Sequence, residues 1–288
     1  GELLGLANLR FSLAGGTRWA TKWWSLGLPG ELRRRRIDVF HGTDFAVPYL
    51  PLRASVLVVH DLSPWKQGPR RARAAARIRR RTPYLLRLAT HITTHSEAIR
   101  SELSDFFGIA PAKITAVPLA ACGAFCRQAA STVTEGLRRL GIDRPYLLFV
   151  GDRNERKNLP LLIDAWRGLR KNGEKVSLVL VGKPGLAEIE TLQEPGLHVL
   201  GPLKDKDVEG LLSGSLAFVY PSLYEGFGLP VLEAMQAGIP VITSNDAALT
   251  EVTAGAALQV DGTSQKEISA AVLSVLRNPF LKRQLREK

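Results

Sequence analysis

Glu225 and Glu233 stand eight residues apart in the run EGFGLPVLE, with a glycine turn between them. Gly226 and Gly228 let a backbone turn tightly and approach a ligand, and Pro230 carries the fixed φ suited to a helix start. The spacing predicts a helix beginning near Leu229, whose unpaired N–H groups and positive dipole end suit a diphosphate. Glu233, about one turn inside, can accept two hydrogen bonds at once, which fits the paired hydroxyls of a ribose, and the turn Gly226, Phe227, Gly228 and Leu229 belongs to the same donor-binding site. Glu225, before the turn, is then free to hold a second polyol. The plain alternative is that Glu225 ends in a solvated loop and Glu233 only favours its helix electrostatically.

The surroundings weigh against that alternative. LAFVYPSLYEGFGLPVLEAMQAGIPVITSN reads as buried strand, loop, turn, helix and second strand, which puts both acids at a strand's carboxyl end, where open α/β sheets bind ligands. A second such end, YLLFVG, runs into DRNERKNL, so that Arg153, Arg156 and Lys157 sit where a strand gives way to a helix. A third, ASVLVVHD, finishes at His60 and Asp61. A lone histidine there can simply cap buried polar groups. His41 and His95 occupy comparable ends, and Ser96 with Glu97 reads as a helix start.

Ten strand-length apolar runs alternate with helical stretches, the pattern of parallel sheets covered by helices. The first four are Asp38 to His41, Ser55 to His60, His91 to His95 and Ile114 to Pro118; the other six fall between Tyr146 and Asp261. Residues 1–125 read as one Rossmann-like unit, 126–144 as a linker with one short helix, and 145–288 as a complete second Rossmann-like unit. At 45% hydrophobic and 23% charged residues, disordered, collagenous and coiled-coil classes are excluded. Cys122 and Cys126 are too few for a disulfide framework and lack the second pair a zinc site needs, which favours a reducing, cytoplasmic setting. The balance of 39 basic to 27 acidic residues gives +12, concentrated at Arg33 to Arg36 and Arg70 to Arg81. Solvated helix faces explain such runs, and so does contact with an anionic membrane at about 1 kcal/mol per Lys or Arg. Nucleic acid is disfavoured, because no interleaved aromatics or recognition motif accompany the clusters.

Pro221, Ser222, Glu225, Gly226, Phe227, Gly228, Leu229, Pro230, Glu233, Ala234, Gly238, Pro240 and Val241 match a known signature, and the chain resembles the retaining glycosyltransferases of family four. The likeness extends to DVFHGTDFAVP, VLVVHDLSPW, ITTHSEAIRSEL, KITAVPLA and LVLVGKPG. It implies the GT-B architecture, two Rossmann-like domains facing a cleft, with the first domain lacking its first strand and the chain trimmed at both ends. It implies metal-independent transfer from a nucleoside diphosphate sugar to an acceptor hydroxyl, with no resident cofactor and retention of configuration. Charge growing on the leaving diphosphate then has to be met by fixed donors. By resemblance Lys157 binds phosphate, with Arg156 or Arg153 as companion; His60 contacts the transferred sugar; and Glu225 fixes sugar hydroxyls. Base selection falls to backbone near Gly182 and Pro202. The motifs are closest in kind to bacterial mannosyltransferases of surface polysaccharide, which favours GDP-mannose, a saccharide or lipid-linked saccharide acceptor, and a cytoplasmic protein in peripheral contact with the inner face of the membrane. The rivals are a GT-B epimerase or phosphorylase, and a non-catalytic module that binds polyanions or membrane surfaces.

Overall fold

A computed structural model describes residues 22–43, 45–50, 53–66, 72–123 and 125–287, with 72–75 described by backbone alone. The expected absence of a first strand, and Arg70 of the second basic cluster, lie outside the described residues.

Two parallel sheets carry the molecule. The first contains β1 (Val39–Gly42), β2 (Ala54–Val58), β3 (His91–Thr94) and β4 (Ile114–Ala116), in spatial order β1-β2-β3-β4. Its helices are α1 (Leu28–Arg34), α2 (Ser63–Lys66), α3 (Ala72–Leu88) and α4 (Glu97–Phe107). Leu57, Leu86, Ile92 and Leu103, all fully buried, form the centre of its core.

Before the second sheet comes α5 (Ala130–Leu140). The sequence predicts a linker over 126–144, but Val133 and Leu137 of this helix are buried in the second core, so the segment is part of the second unit. An amphipathic helix ending at a left-handed Gly141 buries its apolar stripe wherever a facing helix is available.

The second sheet has β5 (Tyr146–Val150), β6 (Ser177–Val181), β7 (Leu197–Leu200), β8 (Ala217–Tyr220), β9 (Val241–Ser244) and β10 (Leu258–Val260). Between and after them run α6 (Leu159–Lys171), α7 (Ala187–Glu190), α8 (Asp205–Gly214), α9 (Leu229–Gln236), α10 (Ala247–Thr253), α11 (Gln265–Arg277) and α12 (Pro279–Glu287). Strand order is β10-β9-β8-β5-β6-β7, the doubly wound order, in which the connection reverses direction between β5 and β8. Because both faces of this sheet are covered, β5 and β8 are continuous apolar runs rather than alternating ones, with Tyr146 to Phe149 and Ala217 to Tyr220 buried. The loops that leave β5 and β8 therefore emerge side by side, and they hold the cationic and the acidic motifs. Among the described residues no helix is long and apolar enough to cross a membrane.

Candidate active site

The loop after β5 closes in one 3-10 turn, Glu155–Lys157, before Asn158 enters α6. The loop after β8 lies against it: Leu223 N–H donates to the Arg156 carbonyl at 2.7 Å. This pairing brings three charges together. Arg156 Nη1 donates to Glu225 Oε2 at 2.7 Å and to the Tyr224 carbonyl at 2.8 Å. Lys157 Nζ donates to Glu225 Oε1 and to the Tyr220 hydroxyl. Ser222 Oγ reaches Glu225 Oε1 at 2.5 Å. Burial favours a neutral Glu225, but the charges of Lys157 and Arg156 outweigh it and hold the carboxyl below its usual range. Burial likewise opposes the Arg156 charge, and Glu225, with Asp61 behind it, raises its pKa in spite of that.

Three expectations change here. Glu225 is not an open loop carboxylate: it is buried at 6% exposure, its Oε1 receives Lys157 and Ser222, and its Oε2 receives Arg156. Arg153 does not join the cluster. Its guanidinium, 1% exposed, donates to Glu190 at 2.7 Å through Nε and Nη2, and to the carbonyls of Gly182 and Leu200 at 2.9 and 2.7 Å. It staples the carboxyl ends of β6 and β7, and the pairing with Lys157 falls to Arg156. A third change concerns His60. Its Nε2 faces the Thr43 carbonyl at 2.7 Å, which can only accept, so Nε2 carries the hydrogen, while Nδ1 lies 2.8 Å from His95 Nε2 in a second hydrogen bond. Both ring nitrogens are committed, and what His60 turns toward the second unit is its backbone.

That backbone explains the first glycine of the turn. A Cβ on Gly226 would lie 2.1 Å from the His60 carbonyl oxygen and 3.0 Å from Asp61 Cβ, so close approach of the two units requires glycine. Gly228 then caps α9, whose first residue is Leu229, as the spacing predicts. Phe227 is buried. Glu233 is half-buried in α9, and its carboxylate has no hydrogen-bond or ion-pair partner among the described residues. Burial, aided by the negative charge of Asp205, pushes its pKa up to about 7. Gly182 and Pro202 follow the neighbouring strands β6 and β7; at Gly182, φ of +144° and a would-be Cβ 2.0 Å from the Gly151 oxygen admit glycine alone. Pro202 is exposed.

The sequence did not disclose what joins the units. Tyr224 packs against the first core, donates its hydroxyl to Glu102 at 2.6 Å and accepts from Leu62 N–H at 2.7 Å. Lys66 pairs with Glu102 at 2.6 Å and lies 5.5 Å over the Tyr224 ring. Ser96 Oγ donates to the Gly226 carbonyl at 2.8 Å. Glu251, on α10, accepts from Glu97 N–H and Ala98 N–H at 2.9 Å each, while Ser96 Oγ takes Ile99 N–H, so the amino end of α4 is capped from both units. The one available signal for Tyr224 is an aromatic residue placed directly before a charged one in a strand-end loop.

Comparison with known proteins identifies the family and the fold. The family model described as glycosyl transferases group 1 matches residues 137–288, and the model described as Glycosyltransferase Family 4 matches residues 9–120. The O-antigen chain mannosyltransferase B of Escherichia coli is 31% identical over 258 residues, covering 86% of this chain and 67% of that protein. A glycogen synthase of Mycobacterium tuberculosis is 27% identical, covering 87% of this chain and 63% of its own length. Among solved structures, Anabaena HepE in complex with UDP and glucose superimposes with a TM-score of 0.74 at 16% identity, over 94% of this chain and 77% of that one. WaaG, a glycosyltransferase involved in lipopolysaccharide biosynthesis, gives 0.69 at 18% identity, over 90% and 74%. The fold is GT-B, and the chain belongs to the group 1 glycosyltransferases.

Proposed function

We propose that the protein transfers a glycosyl group, mannosyl favoured, from a nucleoside diphosphate sugar to an acceptor hydroxyl, with retention of configuration and without a metal. The observation that carries this reading is the meeting of Arg156, Lys157 and Glu225 at the switch point between β5 and β8. One carboxylate shared by two cations leaves net positive charge, preorganised where a leaving diphosphate gains negative charge. Arg156 spends only its Nη1 donors on protein, which leaves Nε and Nη2 for phosphate oxygens. Glu233, without a protein partner, receives the ribose hydroxyls. Glu225, held ionised between two cations, is a poor nucleophile and acts as their positioning counter-charge. The acceptor hydroxyl attacks the anomeric carbon on the face from which the diphosphate departs. The carbon–oxygen bond to phosphate breaks as the new one forms, and the leaving phosphate oxygen takes the acceptor's proton. His60, its ring held by Thr43 and His95, shapes the wall beside the turn. The relatives with mannosyltransferase names support GDP-mannose as donor and a saccharide of surface polysaccharide as acceptor; the reaction then takes place in the cytoplasm, at the membrane face.

The test is incubation with GDP-mannose and a mannoside acceptor in the presence of EDTA. The expected result is GDP released in step with an α-linked product and no loss of rate from the chelator. An epimer of intact donor, a sugar phosphate, an inverted linkage or a rate abolished by EDTA overturns the proposal.

A further inference from the structure

Away from the diphosphate cluster, α3 presents Arg77, Arg80 and Arg81 over a cavity of about 550 Å³ walled by Tyr49 and Tyr84. Arg77 and Arg81 also line a second cavity of about 390 Å³, reaching Trp24 and Phe45, so the two are lobes of one depression. Three features set it apart from a solvated helix face. Among the described residues no carboxylate lines either lobe, and none pairs with these three arginines. Arg81 is held by stacking 5.0 Å over the Tyr49 ring, yet its buried Nε–H has no acceptor. Thr82, 1% exposed, lines the inner lobe with a hydroxyl that also lacks a partner. Buried donors left unmade cost about 1–3 kcal/mol each, and two of them stand just behind three guanidinium groups that face the cavity, so the polar groups around the depression are all donors and match an acceptor-rich anion.

The depression is also placed to matter. Tyr49 N–H bonds the Trp24 carbonyl at 2.9 Å and Phe45 N–H bonds the Val58 carbonyl at 3.2 Å, which fixes the β1–β2 loop as its floor. The Phe45 ring meets His60 edge-on with centroids 6.4 Å apart, so the inner lobe ends one side chain from the cleft.

We infer that the depression formed by Arg77, Arg81, Thr82 and Tyr49 binds a phosphate or pyrophosphate group carried by the acceptor, anchoring it so that its hydroxyl reaches past Phe45 into the cleft. Guanidinium forks suit tetrahedral phosphate oxygens in bidentate fashion, and the aromatic walls suit the carbon skeleton beside it. This rests on the glycosyl-transfer reading for its purpose, though not for its binding chemistry.

The experiment is calorimetric titration of the protein, first with GDP and then, at saturating GDP, with inorganic pyrophosphate. The same titrations are run on Arg77→Gln and Arg81→Gln, alongside flotation with phosphatidylglycerol and with phosphatidylcholine vesicles. Expected is a second pyrophosphate site weakened about tenfold in each variant, with GDP affinity unchanged. If the variants lose pyrophosphate alone, the anchor reads a soluble phosphate ester; if they lose phosphatidylglycerol vesicles as well or instead, it reads a lipid headgroup. Both variants matching the native protein in both assays overturns the inference. Failure of GDP to bind the native protein counts against the donor site alone, and the comparison between native and variant pyrophosphate binding still decides this one.

Discussion

Tyr224 of the second unit and Glu102 of the first are joined by a 2.6 Å hydrogen bond, and the residue that follows Tyr224 is the acid that holds both cations of the donor cluster. Contact between the units and geometry of the site are thus fixed by two consecutive residues. Burial and the Glu102 carboxylate both push the Tyr224 phenol pKa up, which keeps it a proton donor at any physiological pH. Tyr224→Phe deletes the hydroxyl, strands Leu62 N–H and leaves Glu102 with Lys66 alone. We expect a loss of about 1–3 kcal/mol and a thermal unfolding trace that splits into two transitions as the units uncouple. A single transition at the native midpoint in calorimetry counts against the coupling.

Glu225→Ala leaves buried Lys157 and half-buried Arg156 without the carboxylate they share, with only the more distant Asp61 and Asp152 to offset their charge. Breaking a buried ion pair from one side costs about 3–5 kcal/mol, so the urea midpoint should fall sharply. Glu225→Gln, which keeps the shape and part of the hydrogen bonding, should fall less. Equal midpoints for Ala and native protein dispose of the cluster as a structural unit.

Gly226→Ala sets a methyl group against the His60 carbonyl, 2.1 Å from its oxygen. Since that oxygen is backbone and cannot step aside, the units must separate. Solution scattering should report a larger radius of gyration, with circular dichroism unchanged. An unchanged radius together with native transfer rate would show that the approach is not needed.

Glu233 supplies a pH dependence. Its folded pKa, about 7, lies above the ordinary value of 4.5, so the folded state binds its proton more tightly than the unfolded chain does. The stability this confers is fully present below about pH 4.5 and is lost as pH rises toward and through 7. If Glu233 receives ribose hydroxyls as proposed, it does so best as the carboxylate, and nucleoside diphosphate affinity should move the opposite way and rise between pH 6 and 8. Glu233→Gln should flatten that profile in calorimetric titrations, and a slope surviving in the variant would assign it to another group.

How much of this was readable from the chain depends on the range of the interactions involved. All ten strands are where apolar runs of strand length stand, and α6 begins and ends at Leu159 and Lys171 as its period predicts, because those signals are local. Lys157, Arg156 and Arg153 were all legible as cations where a strand gives way to a helix, but which arginine stands beside Lys157 was not. Nor was the burial of Arg153: a loop arginine is usually exposed, and only the return of Gly182, Leu200 and Glu190 to the same spot makes it a buried staple. The linker reading of 126–144 failed for the same reason, since α5 acquires its role from α8, more than sixty residues on. His60 was legible as a histidine at a strand end, but its partners Thr43 and His95 come from other strand ends, and they decide which of its atoms remain available.

The cap that Glu251 places on α4 has one more implication. A helix normally carries its own terminators, whereas α4 borrows two hydrogen-bond acceptors from a segment about 150 residues away. Its leading turn is complete only while the halves are shut. Ser96 holds Ile99 N–H from within the helix, so the Glu97 and Ala98 N–H groups are the part of this turn that depends on the second unit, and their hydrogen exchange should rise in Glu251→Ala while that of Ile99 does not.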